Sequence, residues 1–346
     1  MSEVSAAAIL AVRSRAALFD MTTSRGVLEV NGEDRVRWLD GMISGDVEAL
    51  VAAAAESRPE TGCYATLLTN KGAIVADLHV GCVGAVFLLE SLRDELPKIA
   101  ATLERFIIAD DVTLTDVSEM YCTLGLEGAD ATTILSAALD EGASVPASEG
   151  WANARIGGAD VLVAAFGWSG ELAYQLRLSP SDRAAVEGGL DAAAVEALVR
   201  GDAEALEILR VEAGIPALGL ELDEEVLPPE ARLERAIATN KGCYVGQEIV
   251  ARLRARGQVN HLLVGLRLAD QAVPGLGTEL SAGGRKTGEI TSVVKSPSKG
   301  LIALGYVRRE HADDGTIVEF EGGKARVSAL PFVVGSAASA AGSDAS

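Results

Sequence analysis

Apolar residues recur with two different periods in the first 255 residues. Between residues 92 and 108 they return every three or four positions, which predicts a helix with one face on a sheet. Between residues 172 and 178 they alternate with small or polar residues, which is the period of a half-buried strand. The predicted helical face consists of Leu96, Ile99, Ala100, Leu103 and Phe106. Together the two periods indicate an α+β fold.

The same patterns predict further elements on both sides of residues 115–120. The turn Asn70–Gly72 divides the apolar run 64–80, and because Asn and Gly tolerate positive φ, this run is predicted to be a hairpin. The alanine-rich segment 50–59 is interpreted as a variable connection. The other predicted elements are a helix over 7–18, a strand over 26–30, a helix from Glu33, a helix over 130–139 and a hairpin of 161–166 with 172–178. Residues 1–255 are therefore predicted to form two similar α+β halves.

Beyond residue 256 the helical period disappears. Short apolar runs recur roughly every ten residues between glycine-rich or Asp-Gly turns, such as the turn at Asp314 and Gly315. Residues 256–335 are therefore predicted to form a small β-barrel. The tail, 336–346, consists mainly of Ala, Ser and Gly, and because it has no large apolar side chains to bury it is predicted to be disordered.

Composition and charge narrow the class of protein. Of the 346 residues, 49% are apolar and 23% are charged, as in globular proteins, and the net charge of −20 disfavours general binding to a nucleic-acid backbone. No apolar run approaches the ~20 residues of a membrane-spanning helix, and the first residues show no clear export signal. We therefore expect a cytoplasmic protein with no nucleic-acid or membrane partner.

Cysteine and histidine residues are too widely spaced for the common metal and catalytic motifs. Cys63, Cys82, Cys122 and Cys243 are at least 19 positions apart, which excludes paired zinc and thioredoxin spacings. The three histidines form no pair at helical spacing, and no P-loop, dinucleotide-binding or nucleophile-elbow motif is present. No metal site is predicted.

The strongest local signal is the segment 241–248, which reads KGCYVGQE and is predicted to be a glycine-bent loop entering a helix. Lys241 and the amino end of that helix would both stabilise a thiolate. Cys243 is therefore predicted to have a lowered pKa and to act as a nucleophile or a soft-metal ligand. The alternative is a small buried residue beside two turn glycines.

A dense group of basic residues follows this loop. It consists of Arg252, Arg254, Arg256 and His261. Two interpretations are open for it: a site for an anion or a partner, or a helix face that neutralises the acidic stretch 221–225.

The segment KGCYVGQE resembles the signature of the YgfZ family, the folate-binding iron-sulfur assembly and repair factors related to the glycine-cleavage T-protein. The resemblance extends over most of the chain. The other similar segments are 13–20 with 26–30, 70–78, 167–171 with Tyr174, 210–214, 221–224 with Pro229 and Glu230, and 288–292. The resemblance implies a T-protein-like ring of two ferredoxin-like α+β units and a carboxyl-terminal β-barrel. It also implies that tetrahydrofolate or a one-carbon derivative binds in the central channel.

Candidate site residues follow from the same resemblance. Asp77 matches the catalytic aspartate of T-proteins, which handles the folate nitrogens, and Cys243 is the second candidate catalytic residue. The predicted cofactor-binding residues are Tyr64, Asp77, Trp168, Glu171, Gln175, Lys241 and Tyr244. Two positions depart from the T-protein pattern. Gln175 stands where that family has a pterin-binding glutamate, and Leu206 stands where it has an arginine.

Three functions are compatible with these residues. The first is a tetrahydrofolate-binding protein that supports assembly or repair of iron-sulfur enzymes through Cys243, with those enzymes or assembly proteins as partners. The second is a tetrahydrofolate-dependent aminomethyltransferase or demethylase in which Asp77 assists one-carbon transfer, although Gln175 and Leu206 count against it. The third is a scaffold that has lost folate binding and keeps only the partner surface around 241–256.

Overall fold

A computed structural model describes residues 1–58, 61–257, 259–269 and 273–335. Its α-helices are α1 (Glu3–Ser14), α2 (Arg35–Met42), α3 (Val47–Ala55), α4 (Leu96–Glu104), α5 (Ala131–Ala138), α6 (Arg183–Ala193), α7 (Ala203–Ala213) and α8 (Gln247–Arg256). The strands that precede α8 are β1 (Ala17–Asp20), β2 (Arg25–Asn31), β3 (Gly62–Leu68), β4 (Ile74–Val83), β5 (Val86–Leu92), β6 (Thr113–Asp116), β7 (Cys122–Glu127), β8 (Trp151–Ile156), β9 (Ala159–Ala164), β10 (Ala173–Leu178) and β11 (Val199–Gly201). The predicted α+β class is confirmed.

The first sheet is antiparallel, with strand order β3-β4-β5-β2-β6. Its β3–β4 hairpin confirms the prediction from Asn70–Gly72, since the chain reverses between Leu68 and Ile74. Gly72 has a φ of +78°, which explains why glycine occupies this position in the turn. In the register of the hairpin Thr66 lies opposite Asp77, near the middle of β4.

The second sheet has strand order β11-β1-β7-β10-β9-β8, in which only the β1–β11 pair is parallel. The prediction of a helix over 7–18 is wrong at its end, because α1 stops at Ser14 and residues 17–20 form β1. The backbones of Leu18 and Phe19 pair with β7 and β11, and their side chains are buried in two apolar clusters. These distant partners override the local helical preference of the segment.

Two other predictions in the first half need correction. The segment 50–59 is not only a connection, because α3 extends to Ala55 after Asp46 caps its amino end by accepting a hydrogen bond from the Ala49 amide. Phe106 lies beyond the end of α4 and is 38% exposed. The rest of the predicted α4 face packs on the sheet, as Leu96, Ile99 and Leu103 are buried.

The predicted carboxyl-terminal barrel is confirmed as a closed sheet of six strands in the order β12-β15-β14-β13-β16-β17. These strands are β12 (His261–Leu268), β13 (Glu279–Ala282), β14 (Arg285–Ser296), β15 (Gly300–Arg308), β16 (Ile317–Phe320) and β17 (Gly323–Ser328). Glu221 joins the barrel to the rest of the chain, because its buried carboxylate accepts hydrogen bonds from Arg210 of α7 and from Thr291 and Ser292 of β14. The predicted disordered tail, 336–346, lies outside the described residues.

Among the described residues, no helix combines the length and the apolar character that crossing a membrane requires.

Candidate functional site

A cavity of about 270 Å³ lies where the two sheets, α7 and the segment 216–220 meet. Asp77 of β4, Arg25 at the start of β2 and Trp168 after β9 contribute from the two sheets. The complete lining is Met21, Ser24, Arg25, Asp77, Leu92, Trp168, Ala203, Leu206, Glu207, Arg210, Pro216, Ala217, Leu218 and Leu220. The lining is therefore mostly apolar with a small number of polar and charged groups, which is the usual composition of a small-molecule site.

Asp77 is held in place by side chains of the two neighbouring strands, β3 and β5. The Tyr64 hydroxyl donates a hydrogen bond to Asp77 Oδ2 over 2.9 Å, and the Ser91 hydroxyl donates to the Asp77 carbonyl over 3.0 Å. Burial, followed by the charge of Asp77, raises the pKa of Tyr64 well above its usual value, so the phenol stays a donor. Asp77 Oδ1 accepts no hydrogen bond from any described residue. One oxygen of the carboxylate is thus fixed and the other is available.

An aromatic cluster lies beside Asp77. The His79 ring stacks on Phe166 with 3.7 Å between ring centroids, and Trp168 meets both rings edge-on. His79 Nδ1 lies 3.0 Å from a carboxylate oxygen of Glu149. Burial opposes ionisation of Glu149, but the charge and hydrogen bond of His79 together with the charge of Arg235 outweigh it and lower the pKa of that carboxyl. The cluster supports Tyr64, whose ring centroid is 4.8 Å from that of His79.

Of the predicted site residues, only Asp77 and Trp168 line the cavity, and Gln175 and Glu171 lie outside the lining. Gln175 is fully buried on β10; its Nε2 donates to the Phe166 carbonyl over 3.2 Å, and its Oε1 has no partner among the described residues. Gln175 and the cavity residue Met21 both lie beside Gly125, since a Cβ added at Gly125 would lie 2.8 Å from Met21 Cε and 3.4 Å from Gln175 Nε2. Glu171 instead forms an ion pair of 2.8 Å with Arg13.

The segment 241–248 forms the predicted glycine-bent loop before α8, and Lys241 binds the α2–α3 region. Its buried ammonium lies 3.0 Å from Asp40 Oδ1 and donates to the carbonyls of Asp40, Ile43 and Gly45 over 2.6 to 3.0 Å. All of its donors are thus engaged with the α2–α3 region. The alternative of a small buried cysteine is wrong, because Cys243 is exposed.

The loop is fixed against the β3–β4 turn. Gly246 has a φ of +84°, and a Cβ added there would lie only 2.6 Å from the Thr69 carbonyl oxygen. Tyr244 is buried, and Gln247 Oε1 accepts a hydrogen bond of 3.3 Å from its amide. Neither Tyr244, Lys241 nor Cys243 lines the cavity at Asp77.

The basic group after the loop contributes to a second, wider cleft of about 1200 Å³. Arg254 and His261 line this cleft, whereas Arg252 pairs with Glu248 and the side chain of Arg256 lies outside the described residues. The interpretation that this group neutralises the stretch 221–225 receives no support. Within that stretch, Glu221 pairs with Arg210 and Glu224 pairs with Lys98.

Two residues of the cavity lining, Arg25 and Met21, were not predicted from the sequence. Both lie in the short connection around β1 and β2, where no apolar period or recognised motif marks them. Both residues lie between the apolar strand β1 and Gly26. This position is a weak signal for a binding site, because it is also typical of an ordinary turn.

The chain matches a known protein family over nearly its whole length. Residues 1–241 match the family model for the GCVT N-terminal domain, and residues 262–333 match that for the glycine cleavage T-protein C-terminal barrel domain. The chain therefore belongs to the glycine cleavage T-protein family. This confirms the broader part of the resemblance.

Individual relatives agree with this family. The chain is 31% identical over 331 residues to an aminomethyltransferase of Saccharopolyspora erythraea, covering 93% of this chain and 88% of the relative. It is 29% identical over 330 residues to an aminomethyltransferase of Halalkalibacterium halodurans, with the same two coverages. Since these relatives are named aminomethyltransferases, the narrower resemblance to the YgfZ family is not confirmed.

A solved structure supports the fold. The glycine cleavage system aminomethyltransferase T from Bartonella henselae is similar with a TM-score of 0.81 and 22% identity, covering 95% of this chain and 90% of that one. This confirms the T-protein-like architecture predicted for the chain.

Proposed function

We propose that the protein binds tetrahydrofolate in the cavity at Asp77 and transfers a one-carbon unit to or from it, as an aminomethyltransferase or a demethylase. The observation that carries this proposal is the mostly apolar cavity lined by Asp77, whose carboxylate has one oxygen without a partner among the described residues. Membership of the T-protein family and the aminomethyltransferase relatives support it.

The residues around the cavity fit such a ligand. Met21, Leu92 and Trp168 provide apolar and aromatic surface for a ring system. Asp77 Oδ1 and the buried Gln175 Oε1 are acceptors without partners among the described residues, and a pterin carries N–H donors for them. A buried amide oxygen left unpaired costs about 1 to 3 kcal/mol, so a ligand donor at Gln175 would offset a real penalty.

Tetrahydrofolate supplies the nitrogens N5 and N10, which carry the one-carbon unit. Tyr64 keeps its proton and orients Asp77 through Oδ2, so that Oδ1 is the atom at which Asp77 accepts or returns a proton during transfer. Trp168 and the apolar lining exclude water, which would otherwise compete for the one-carbon unit.

Calorimetric titration with tetrahydrofolate tests the binding step on wild type and Asp77→Ala. Asp94→Ala is the matched control, because Asp94 is exposed and lies outside the cavity. We expect wild type and the control to bind alike and Asp77→Ala to bind about tenfold more weakly, as for loss of one good hydrogen bond. Lack of binding by wild-type protein would contradict the proposal.

Product formation tests the transfer step. Wild type should form methylene- or methyl-tetrahydrofolate from a lipoyl-linked aminomethyl donor or a methylated amine. Asp77→Asn should lower the rate by about 10² to 10⁴, the usual contribution of a positioned acid or base. If wild type binds tetrahydrofolate and forms no product with either donor, the transferase part of the proposal fails while binding stands.

A second candidate is support of iron-sulfur enzymes through Cys243. The observation that favours it is the exposed thiol on a loop whose Lys241 and Tyr244 are anchored. In cells deleted for the native gene, this function requires that Cys243→Ser fails to restore iron-sulfur enzyme activities. Asp77→Ala in the same cells separates the two candidates, because a one-carbon transferase depends on Asp77 and tolerates loss of the thiol.

A further inference from the structure

We propose that Arg25 recognises the carboxylate tail of the ligand and replaces the arginine that T-proteins have at the position of Leu206. This inference rests on the proposed function, because it concerns a folate bound in the same cavity. Its starting point is that Arg25 and Leu206 line one cavity, although they are far apart in sequence.

The guanidinium of Arg25 is oriented by two contacts and still has donors to spare. Its Nε donates to Glu90 over 2.5 Å, and its Cζ lies 4.6 Å from the centre of the Trp168 ring. The side chain is only 10% exposed, yet its two terminal nitrogens make no hydrogen bond to the described residues. A guanidinium held in this way can donate two parallel hydrogen bonds to a carboxylate.

The support behind Arg25 is a buried group of charges. Glu90 is fully buried on β5, and its second carboxylate oxygen lies 3.5 Å from a terminal nitrogen of Arg177, which is also fully buried. Arg177 in turn lies over the Trp151 ring, 4.5 Å from its centre. Two guanidinium groups therefore share one carboxylate, which leaves this group short of negative charge and favours an anion beside Arg25.

The other cation of the cavity cannot take this role. Arg210 donates to Glu207 through Nε and one terminal nitrogen, and its remaining donors bind Glu221, Ser292 and the Ile215 carbonyl. Its donors are therefore all engaged. Arg25 is the cavity-lining cation with donors left over among the described residues.

The chemical class of the partner follows from these donors. A neutral pterin ring carries no carboxylate for Arg25, whereas the glutamate tail of tetrahydrofolate carries two. Arg210 is already paired with Glu207, and the charge of Asp77 disfavours an anion directly beside it, so the tail is expected at the guanidinium of Arg25.

The test compares tetrahydrofolate with its diamide, in which both tail carboxylates are amides, on wild type, Arg25→Lys and Arg25→Met. Wild type should prefer tetrahydrofolate by about 10- to 100-fold, the effect of a charged bidentate pair. Arg25→Met should bind both ligands alike, and Arg25→Lys should keep part of the preference and the charge beside Glu90. Arg93→Met, an arginine outside the cavity, should keep the full preference.

The outcomes separate the two proposals. If wild type binds both ligands equally, or if Arg25→Met keeps the preference for tetrahydrofolate, Arg25 has no role in recognition, while folate binding itself stands. If wild type binds neither ligand, the proposed function fails together with this inference. Because each comparison uses the ratio of two ligands on one protein, a general loss of stability in a variant does not imitate the expected result.

Discussion

The cavity at Asp77 and the loop 241–248 both carry candidate functional residues, but they differ in how their polar atoms are paired. In the loop, Lys241 contacts four oxygen atoms and Tyr244 is buried. In the cavity, Asp77 Oδ1 and the terminal nitrogens of Arg25 are left unpaired by the described residues. The loop therefore resembles a structural clasp, and the cavity resembles a binding site.

This difference shows that a specific motif need not be a catalytic one. Lys241 and Gly246 hold the loop against the α2–α3 region and the β3–β4 turn, and the Cys243 thiol is exposed. The cavity has no motif of comparable length, yet it gathers side chains whose hydrogen-bonding capacity is unused.

Thiol labelling is the experiment with the largest expected effect, and it tests whether the loop 241–248 exposes a reactive thiol. At about pH 8, Cys243 should react in the folded protein and the other three cysteines should not, so that one thiol is labelled before denaturation and all four afterwards. Burial, and next the charge of Glu149, raises the pKa of Cys63 to about 12, which alone lowers its thiolate fraction by about 10³. Cys243→Ser is the control and should leave no thiol labelled in the folded state. Fast reaction of Cys63 would contradict the burial of this thiol.

Lys241→Met tests the structural role of the loop. The variant leaves the Asp40 carboxylate without its ammonium and exposes three carbonyls to an apolar side chain, so the free energy of unfolding should fall by about 3 to 5 kcal/mol. Urea denaturation measures this change. Lys98→Met removes an exposed pair with Glu224 and should cost less than about 1 kcal/mol. Equal losses of stability in the two variants would contradict the structural role of Lys241 in the loop.

Tyr64→Phe tests whether Asp77 needs its partner. Losing this hydrogen bond leaves Asp77 in place but frees Oδ2, so the rate of one-carbon transfer should fall by roughly 3- to 10-fold. Single-turnover kinetics with wild type and variant measures the change. Tyr121→Phe, on the connection before β7 and outside the cavity lining, is the control and should leave the rate unchanged.

The ion pair of His79 and Glu149 predicts a small dependence of stability on pH. Because the pKa of Glu149 is lower in the folded protein than its ordinary 4.5, its contribution is present above pH 4.5 and is lost as the pH falls through the folded value. Wild type should thus be more stable than Glu149→Gln by less than about 1 kcal/mol near pH 6, and this difference should shrink in more acid solution. Chemical denaturation of both proteins near pH 6 and in more acid solution measures the difference in their free energies of unfolding. A difference that grows as the pH falls would contradict the lowered pKa of Glu149.

The sequence predicts those parts of the fold that depend on local pattern. The turn Asn70–Gly72 identifies the β3–β4 hairpin, and the short strands after residue 256 identify the barrel. It fails where distant partners decide, as for Leu18 and Phe19, whose conformation is set by β7 and β11. Local preference carries no information about such pairing.

The candidate site was predictable only in part. Asp77, Tyr64 and Trp168 follow from the resemblance, and the structure brings them close together. For Lys241 the nearest cysteine in sequence suggests a thiolate, but its partner in space is Asp40, about 200 positions away. Arg25 carries no sequence signal, since its significance depends on which donors of Arg210 are already engaged.

The position of β1 has a consequence for how the chain folds as it is made. All five strands of the first sheet lie before residue 117, whereas β1 pairs with strands that begin only at Cys122 and Val199. During synthesis the first sheet can form early. Leu18 and Phe19 stay exposed to solvent until their partner strands are made. Such delayed pairing is slow and exposes an apolar strand to other chains. The second sheet is thus the part of this protein for which a nascent-chain chaperone would have the most time to act.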